Sequence, residues 1–261
     1  MVGPSPSGTR RRVFGAMLFL PIIALIFHSQ AMAQWLLMPL ALAMTWEFVS
    51  MLAMPLPLRI ALMFDVCLFA FPASLLHKME SLAQMSLFPV FLALGLLVVG
   101  FVWMVARNSL ATLFVAILIL CILSARGLLG LPDGHVLLIS LAAVVAACDT
   151  VAYFTGRRMG GPRLAPRISP NKTRSGAVGG VLGAVIACLA VTPFMSLSPA
   201  EAVAGGVVIA ILAQAGDLFE SALKRNLGVK DSGHLIPGHG GFLDRFDGYL
   251  LTLPAMWLYM M

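Results

Sequence analysis

The stretch SLATLFVAILILCILSA, residues 109–125, carries no charged side chain, and its only polar residues are two serines and one threonine. About 20 mostly apolar residues in a helix span the hydrocarbon core of a bilayer, so this stretch predicts a transmembrane helix. The whole chain shares this character, because 60% of its residues are hydrophobic and 11% are charged. A soluble domain has about 25% charged residues. We therefore expect an all-α, polytopic integral membrane protein.

Eight further apolar segments lie on either side of residues 109–125, which predicts about nine transmembrane helices. The predicted spans are 13–28, 35–53, 58–76, 86–105, 109–125, 135–156, 176–196, 202–219 and 243–261. The last of them is the least regular, because charged residues occupy its start. Together they form a single transmembrane domain, 13–261, behind a basic tail, 1–12.

The basic residues predict the orientation of this domain, because Lys and Arg concentrate in cytosolic loops. With nine spans and a cytosolic N-terminus, all but two of the 17 Lys and Arg residues lie on the cytosolic side; the exceptions are Lys78 and Arg126. The two long polar loops, 157–175 and 220–243, then face the cytosol, where nucleotides are found. We therefore expect the chemistry in these loops.

The N-terminus has a second interpretation. Residues 10–12 are three arginines followed by an apolar run, and residues 31–33 resemble a small-residue cleavage site. This is also the pattern of a cleaved signal peptide covering residues 1–33. The orientation of the later spans is the same in either case.

Two other classes of protein are excluded by composition and spacing. The net charge of +6 is accounted for by orientation, and no basic patch interleaved with aromatic residues indicates nucleic-acid binding. The cysteines stand singly and form no CxxC pair, which predicts free thiols and neither a disulfide framework nor a zinc site. They are Cys67, Cys121, Cys148 and Cys188.

Four glycines in the span 176–196 form overlapping GxxxG spacings: Gly176, Gly179, Gly180 and Gly183. Such spacings let helices approach closely in a membrane. The alternative is a nucleotide-binding glycine motif, but neither GxGxxG after a strand nor GxxxxGK[ST] occurs. Close helix packing is the favoured interpretation.

Acidic residues gather at the predicted cytosolic helix ends. Asp217 and Glu220 are three apart, as are Asp244 and Asp247, so each pair is predicted to share a helix face. Asp149 lies in the cytosolic half of the sixth span. Converging carboxylates repel each other unless a cation neutralises them, and hard divalent ions such as Mg²⁺ prefer carboxylate oxygens. We predict a metal site; the alternative is salt bridges to Lys224, Arg225 and Arg245.

The segment between the two acid pairs has the features of a phosphate site. It contains Lys224, Arg225 and Lys230, and Arg245 lies just beyond it. Its glycine-rich turn, 237–241, lets backbone N–H groups approach an anion closely. A cation, basic side chains and exposed amides together predict a triphosphate site.

Three polar residues keep open interpretations. His239 is either a general base or a loop histidine hydrogen-bonded to phosphate or to a carboxylate. Glu47 and Asp65 lie within apolar spans. They are expected to be packing or interface groups, and substrate contact is the alternative.

The segment SALKRNLGVKDSGHLIPGHGGFLDRFD, 221–247, resembles the signature of the phosphatidate cytidylyltransferases, or CDP-diacylglycerol synthases. The segments GDLFES (216–221), DTVAYFTGR (149–157) and SPNKT (169–173) are similar to further blocks of that family. The resemblance covers about 145–250, the predicted catalytic half, and elsewhere only the hydropathy and the Trp46-Glu47 pair. Arg174 and Ser175 depart from the usual Trp-Glu or Trp-Gln, and Val151 stands where glycine is usual.

This resemblance implies an enzyme that transfers the cytidylyl group of CTP to phosphatidic acid, releasing pyrophosphate, for phospholipid biosynthesis. It implies Mg²⁺, with or without a second cation, a homodimer, and a bacterial cytoplasmic membrane with the active site facing the cytosol. The implied catalytic residues are Asp217, Lys224, Asp244, Arg245 and Asp247, and the implied metal ligands are Asp217, Glu220, Asp244 and Asp247. The implied substrate-binding residues are Ser169, Lys172, Thr173, Ser221, Arg225, Lys230, Asp231, His239, Gly240 and Gly241.

Three alternatives compete with this function. A CDP-alcohol phosphatidyltransferase would need a DGxxAR core followed by GxxxDxxxD, which the chain lacks. A cation or proton transporter would line a midplane path with carboxylates, whereas these cluster at one face beside a basic loop. An inactive member of the family is indicated only by Arg174 and Ser175.

Overall fold

The computed structural model describes residues 24, 26, 28–52, 54–70, 88–195, 197–233, 235–236 and 240–261. Its helices are α1 (Gln30–Met51), α2 (Leu56–Phe69), α3 (Phe88–Ala106), α4 (Ser109–Gly130), α5 (Gly134–Met159), α6 (Arg174–Met195), α7 (Pro199–Asn226) and α8 (Tyr249–Met260). The predicted tail 1–12 and nearly all of the predicted span 13–28 lie outside the described residues.

Five helices of the described part of the chain are long and apolar enough to cross a membrane. They are Gln30–Met51, Ser109–Gly130, Gly134–Met159, Arg174–Phe194 and Pro199–Asn226. Two shorter apolar helices, Ala93–Ala106 and Tyr249–Met260, accompany them. The chain is therefore an integral membrane protein built mainly of helices, and the count of nine spans stays a prediction.

Helix α7 is longer than the sequence predicts. Its start has a capping box, in which the Ser198 hydroxyl accepts from Glu201 N–H and the Glu201 carboxylate accepts from Ser198 N–H. We expected the span to end at 219, but the helix continues to Asn226. Lys224 in its last turn pairs with Glu220 and complements the negative end of the helix dipole. The predicted polar loop 220–243 therefore begins only at 227.

The other predicted polar loop, 157–175, contains a β-hairpin that a purely helical prediction missed. Strands β1 (Arg163–Ala165) and β2 (Ser169–Thr173) pair antiparallel. A β-turn joins them, with Pro166 at its second position and Ile168 N–H donating to Ala165 O at 3.2 Å. The short strands carry no continuous apolar alternation, so hydropathy gave no signal for them.

The glycine stripe lies where α6 packs on α5, as predicted. A Cβ at Gly180 would lie 3.1 Å from Cys148 Sγ, and one at Gly183 would lie 2.7 Å from Val151. Neither position has room for a side chain, which confirms close helix packing as the role of the stripe. The predicted absence of disulfides is also confirmed, because all four cysteines are free.

The apolar core joins the N-terminal helices to α7. Phe114 of α4 stacks on Phe48 of α1 at 5.2 Å between ring centroids, and on Phe219 of α7 at 5.7 Å. Near this stack, Asn108 caps α4 and donates from Nδ2 to Asn226 Oδ1 at 2.6 Å, at the end of α7. At the opposite end of the bundle, the Gln34 amide donates to Leu129 O at 2.7 Å.

Candidate active site

Asp217, near the C-terminal end of α7, faces the β-hairpin. Its carboxylate forms an ion pair with Lys172 of β2 and accepts a hydrogen bond from Ser221 Oγ at 3.3 Å. Both side chains of the ion pair are partly exposed. The hairpin thus brings one predicted phosphate-binding lysine against one predicted metal ligand.

Asp247 lies beside Asp217, in the turn that precedes α8. The backbone of this turn packs on α7 at Gly216, where a Cβ would lie 2.5 Å from Asp247 O. Burial, and next the charge of Asp217, raise the pKa of the Asp247 carboxyl to about 7; Asp149 adds to the effect and Lys172 opposes it. The charges of Asp149, Asp217 and Asp247 therefore repel one another, and the Lys172 ammonium offsets part of that repulsion.

Glu220 and Asp244 form a second group, held together by Lys224. The Lys224 ammonium lies 3.0 Å from Glu220 Oε2 and 2.5 Å from Asp244 Oδ1. Glu220 is fully buried, and within the described residues its Oε1 has no hydrogen-bond partner. The salt-bridge alternative thus holds for these two acids, whereas Asp217 pairs with Lys172.

Asp244 also organises the loop between α7 and α8, residues 227–248, which is called the signature loop below. Its Oδ2 accepts from Ser232 N–H at 3.2 Å and from Gly241 N–H at 2.9 Å. Burial opposes its ionisation, but the hydrogen bond and charge of Lys224, with these amides, hold the pKa of Asp244 below its usual value. The Gly241 amide, predicted to bind an anion, is therefore engaged by Asp244.

The prediction that Asp244 and Asp247 share a helix face is wrong. Asp244 lies in a 3₁₀ helix, Leu243–Arg245, and α8 begins only at Tyr249. Asp247 occupies the turn between them, where its Oδ1 accepts from Gly248 N–H at 2.7 Å. The short helix turns the two acids toward different partners.

Glu47 of α1 reaches the same loop from the N-terminal half. It is 2% exposed and accepts hydrogen bonds from Ser232 Oγ, Phe242 N–H and Leu243 N–H at 2.8–2.9 Å. The sequence prediction treated Glu47 as a packing or interface group, but the structure shows that it also holds the loop. A carboxylate in an apolar span that carries no basic residue was the available signal.

The hairpin is fastened to the helices that flank it. Thr173 Oγ1 accepts from Gly176 N–H at 3.1 Å, at the start of α6. Ser175, one of the two departures from the family pattern, donates to Gly160 O at the end of α5. Arg225 of α7 donates to Ile168 O at 3.4 Å. These contacts hold Lys172 beside Asp217.

The other predicted residues that the structure describes lie on β2 and between α7 and α8. Ser169 is half-buried on β2, Lys230 and Asp231 are exposed after α7, and Arg245 is exposed on the 3₁₀ helix. Gly240 has a positive φ of 84° and accepts from Ile236 N–H through its carbonyl. His239 lies outside the described residues.

The acid groups can be compared with the needs of a metal ion. Within the described residues, no group of three or more His, Cys, Asp or Glu side chains is arranged to hold one. Mg²⁺ in nucleotide sites is usually held by one or two carboxylates together with substrate phosphates and water. Asp217 and Asp247, with Asp149 nearby, fit this donor set. Sequence reasoning placed Asp149 near the site but omitted it from the ligands, because its distance from Asp217 depends on how α5 packs.

Fold and site define an integral membrane protein that gathers acidic and basic side chains at one end of its helices. A family model described as the cytidylyltransferase family matches residues 9–261. The chain belongs to this family.

Relatives in several bacteria match part of the chain. The phosphatidate cytidylyltransferase of Brucella abortus (strain 2308) is 46% identical over 129 residues, 49% of this chain and 48% of that protein. That of Staphylococcus aureus (strain COL) is 44% identical over 115 residues, 43% and 44% of the two chains. The uncharacterized protein YnbB of Escherichia coli (strain K12) is 38% identical over 131 residues, 50% and 44% of the two chains. The chain thus spans about half the length of the curated relatives it matches.

Proposed function

We propose that this protein transfers the cytidylyl group of CTP to phosphatidic acid, giving CDP-diacylglycerol and pyrophosphate. A phosphate oxygen of phosphatidic acid attacks the α-phosphorus of CTP, and the bond to the β-phosphate oxygen breaks. The observation that carries the proposal is the ion pair of Asp217 with Lys172, beside the turn at Asp247 whose backbone packs on α7 at Gly216. This grouping combines a place for a divalent cation with a phosphate-binding ammonium.

In this proposal, different side chains bind the cation and the substrate phosphates. Asp217 and Asp247, with Asp149, would hold Mg²⁺, which supplies charge neutralisation for the phosphates when bound. Lys172 exchanges its ion pair with Asp217 for a substrate phosphate, while the exposed Arg225, Lys230 and Arg245 attract the nucleotide. No protein nucleophile is needed, because positioning and charge account for most phosphoryl-transfer catalysis.

Lys224 has a supporting role in this proposal. Its ammonium pairs with both Glu220 and Asp244 and so holds the loop against α7. Glu220 Oε1, which has no hydrogen-bond partner among the residues that the structure describes, is the oxygen that a second cation would use. We therefore do not count Glu220 and Asp244 among the ligands of the first Mg²⁺, whereas the sequence prediction counted both as ligands.

We also propose nine spans with the site facing the cytosol of a bacterial cell. The carboxyl ends of α5 and α7 and the amino ends of α6 and α8 carry the site residues, and these ends also hold most of the basic residues. The positive-inside rule assigns that end to the cytosol. A homodimer remains an expectation from the resemblance.

The test is an assay of the purified protein in mixed micelles with CTP, phosphatidic acid and Mg²⁺. We expect CDP-diacylglycerol and pyrophosphate in equal amounts, and neither product when Mg²⁺ is removed with EDTA. Folded protein that makes no CDP-diacylglycerol would contradict the proposal. A parallel reaction with CDP-diacylglycerol and an alcohol tests the phosphatidyltransferase alternative, for which we expect no product.

A further inference from the structure

Glu47 occupies a position that is costly for a carboxylate. It lies in α1, an apolar helix without a basic residue, and only 2% of its surface is exposed. Burying a carboxylate costs several kcal/mol unless hydrogen bonds replace those of water. An acid in this place therefore needs donors from elsewhere in the molecule.

Within the part of the chain that the structure describes, the donors to Glu47 come from the signature loop, 185 to 196 residues further along the chain. Glu47 Oε1 accepts from Phe242 N–H at 2.8 Å, and Oε2 accepts from Leu243 N–H at 2.8 Å and from Ser232 Oγ at 2.9 Å. The two amides open the 3₁₀ helix Leu243–Arg245, whose own N-cap residue makes no side-chain cap. Glu47 thus caps a helix of the site from a different part of the membrane domain.

The loop leaves room for this carboxylate through two glycines. A Cβ at Gly233 would lie 2.6 Å from Glu47 Oε1, and a Cβ at Gly241 would lie 2.6 Å from Oε2. A side chain at Gly233 would displace the carboxylate, and one at Gly241 would first meet Ser232 Oγ, 1.8 Å from the Cβ, which itself donates to Glu47. Gly241 therefore has two roles in the loop. Its amide donates to Asp244, and its lack of a side chain leaves room for Glu47.

The segment that Glu47 holds leads directly to two acids of the site. Asp244 follows Leu243 and meets Lys224, and Asp247 follows after the 3₁₀ helix and meets Asp217. We propose that Glu47 is a positioning residue, which fixes the segment 240–247 so that Asp247 faces Asp217. Its role in turnover rests on the proposed cytidylyl transfer, but its hold on the loop does not.

The test compares Glu47→Gln and Glu47→Ala with Thr45→Val. Thr45 is equally buried on the same helix, but its hydroxyl donates only within α1, to Ala41 O. Hydrogen exchange measured by mass spectrometry on the full-length protein in detergent reports on the amides of 240–247. We expect exchange there to accelerate by about tenfold or more in Glu47→Ala and less in Glu47→Gln, which keeps one acceptor. Thr45→Val should leave it unchanged.

The activity readout separates positioning from general structural damage. We expect kcat in Glu47→Ala to fall about 10- to 100-fold and the half-saturating Mg²⁺ concentration to rise, as when groups behind a metal ligand are removed. The KM for CTP should change much less, and Glu47→Gln should restore part of kcat. If Glu47→Ala fails to fold, Ser232→Ala replaces it in the test, because it removes one of the three donors. We then expect the same changes in exchange and activity, but smaller.

Two outcomes would overturn the proposal. One is unchanged exchange at 240–247 in folded Glu47→Gln and Ser232→Ala. The other is faster exchange with normal kcat and normal Mg²⁺ dependence. If the wild-type protein makes no CDP-diacylglycerol, the proposed function fails, and the exchange result still decides whether Glu47 anchors the loop.

Discussion

Lys224 is the side chain that separates the acids of the site into two groups. Because its ammonium pairs with Glu220 and with Asp244, these two acids are held by one cation, whereas Asp217 pairs with Lys172. The resemblance implied a metal centre that contains both Asp217 and Asp247, and this stays a prediction. Sequence spacing could not show that Lys224 takes Asp244, because that contact depends on the 3₁₀ helix and on the Glu47 cap.

The first prediction concerns the two acids assigned to the cation. Asp217→Asn and Asp247→Asn should each lower kcat by about 100-fold or more, because each removes a charge that holds the metal. Asp133→Asn is the matched control, since Asp133 is exposed at the opposite end and has a positive φ that asparagine tolerates. Near-normal turnover in either site variant, measured with saturating CTP and Mg²⁺, would refute the metal role.

The second prediction concerns pH. The pKa of Asp247 is raised to about 7, so a proton competes with the cation below that pH, and metal binding releases the proton. The half-saturating Mg²⁺ concentration should rise as pH falls from 8 to 6, by up to about tenfold per unit below the pKa. Mg²⁺ titrations of activity at pH 6, 7 and 8 measure this; the same concentration at all three would exclude titration of Asp247.

At the scale of the elements, apolar length predicted a helix well where the helix ends with its apolar stretch. The expected span 135–156 corresponds to α5, Gly134–Met159. The same criterion failed at α7, because the helix extends beyond its apolar part through the Glu220–Lys224 pair. It also failed at the hairpin, whose pairing depends on the turn at Pro166 and on contacts with α5 to α7.

The third prediction tests the packing of α6 on α7 by substituting two neighbouring glycines of α7. A Cβ at Gly206 would lie 2.7 Å from Val185 Cα, whereas one at Gly205 would meet only Cys188 Sγ at 3.8 Å. Gly206→Ala should destabilise the protein by about 1–3 kcal/mol, as overpacking does. Gly205→Ala should be neutral or stabilising by up to about 1 kcal/mol, through helix propensity. Thermal unfolding in detergent compares them, and equal midpoints would contradict the close approach of α6 and α7.

At the scale of the whole molecule, the site depends on both halves of the chain. Glu47 of α1 and Asn108 before α4 contact the loop and the end of α7, although the family signature lies between 145 and 250. Hydropathy predicted that the N-terminal helices exist. It could not predict that one of them caps the signature loop, because that contact joins residues almost 200 positions apart.

The fourth prediction tests orientation across the membrane. In a variant without the four native cysteines, Arg167→Cys lies on the exposed hairpin turn and Pro132→Cys lies on the exposed turn at the opposite end. A membrane-impermeant maleimide applied to intact cells should label Pro132→Cys, and should label Arg167→Cys only after the membrane is permeabilised. The reverse pattern would place the site outside the cytosol and contradict the positive-inside assignment.

The stack of Phe48, Phe114 and Phe219 has a consequence for how α7 presents its acids. Phe219 lies between Asp217 and Glu220 in the sequence, so its ring contact with Phe114 limits axial rotation of the helix. Shortening Phe114 to alanine would relax that constraint and leave the direction of both carboxylates less defined. A residue deep among apolar side chains, without any polar side-chain atom of its own, would then govern how precisely the two acids of α7 are oriented.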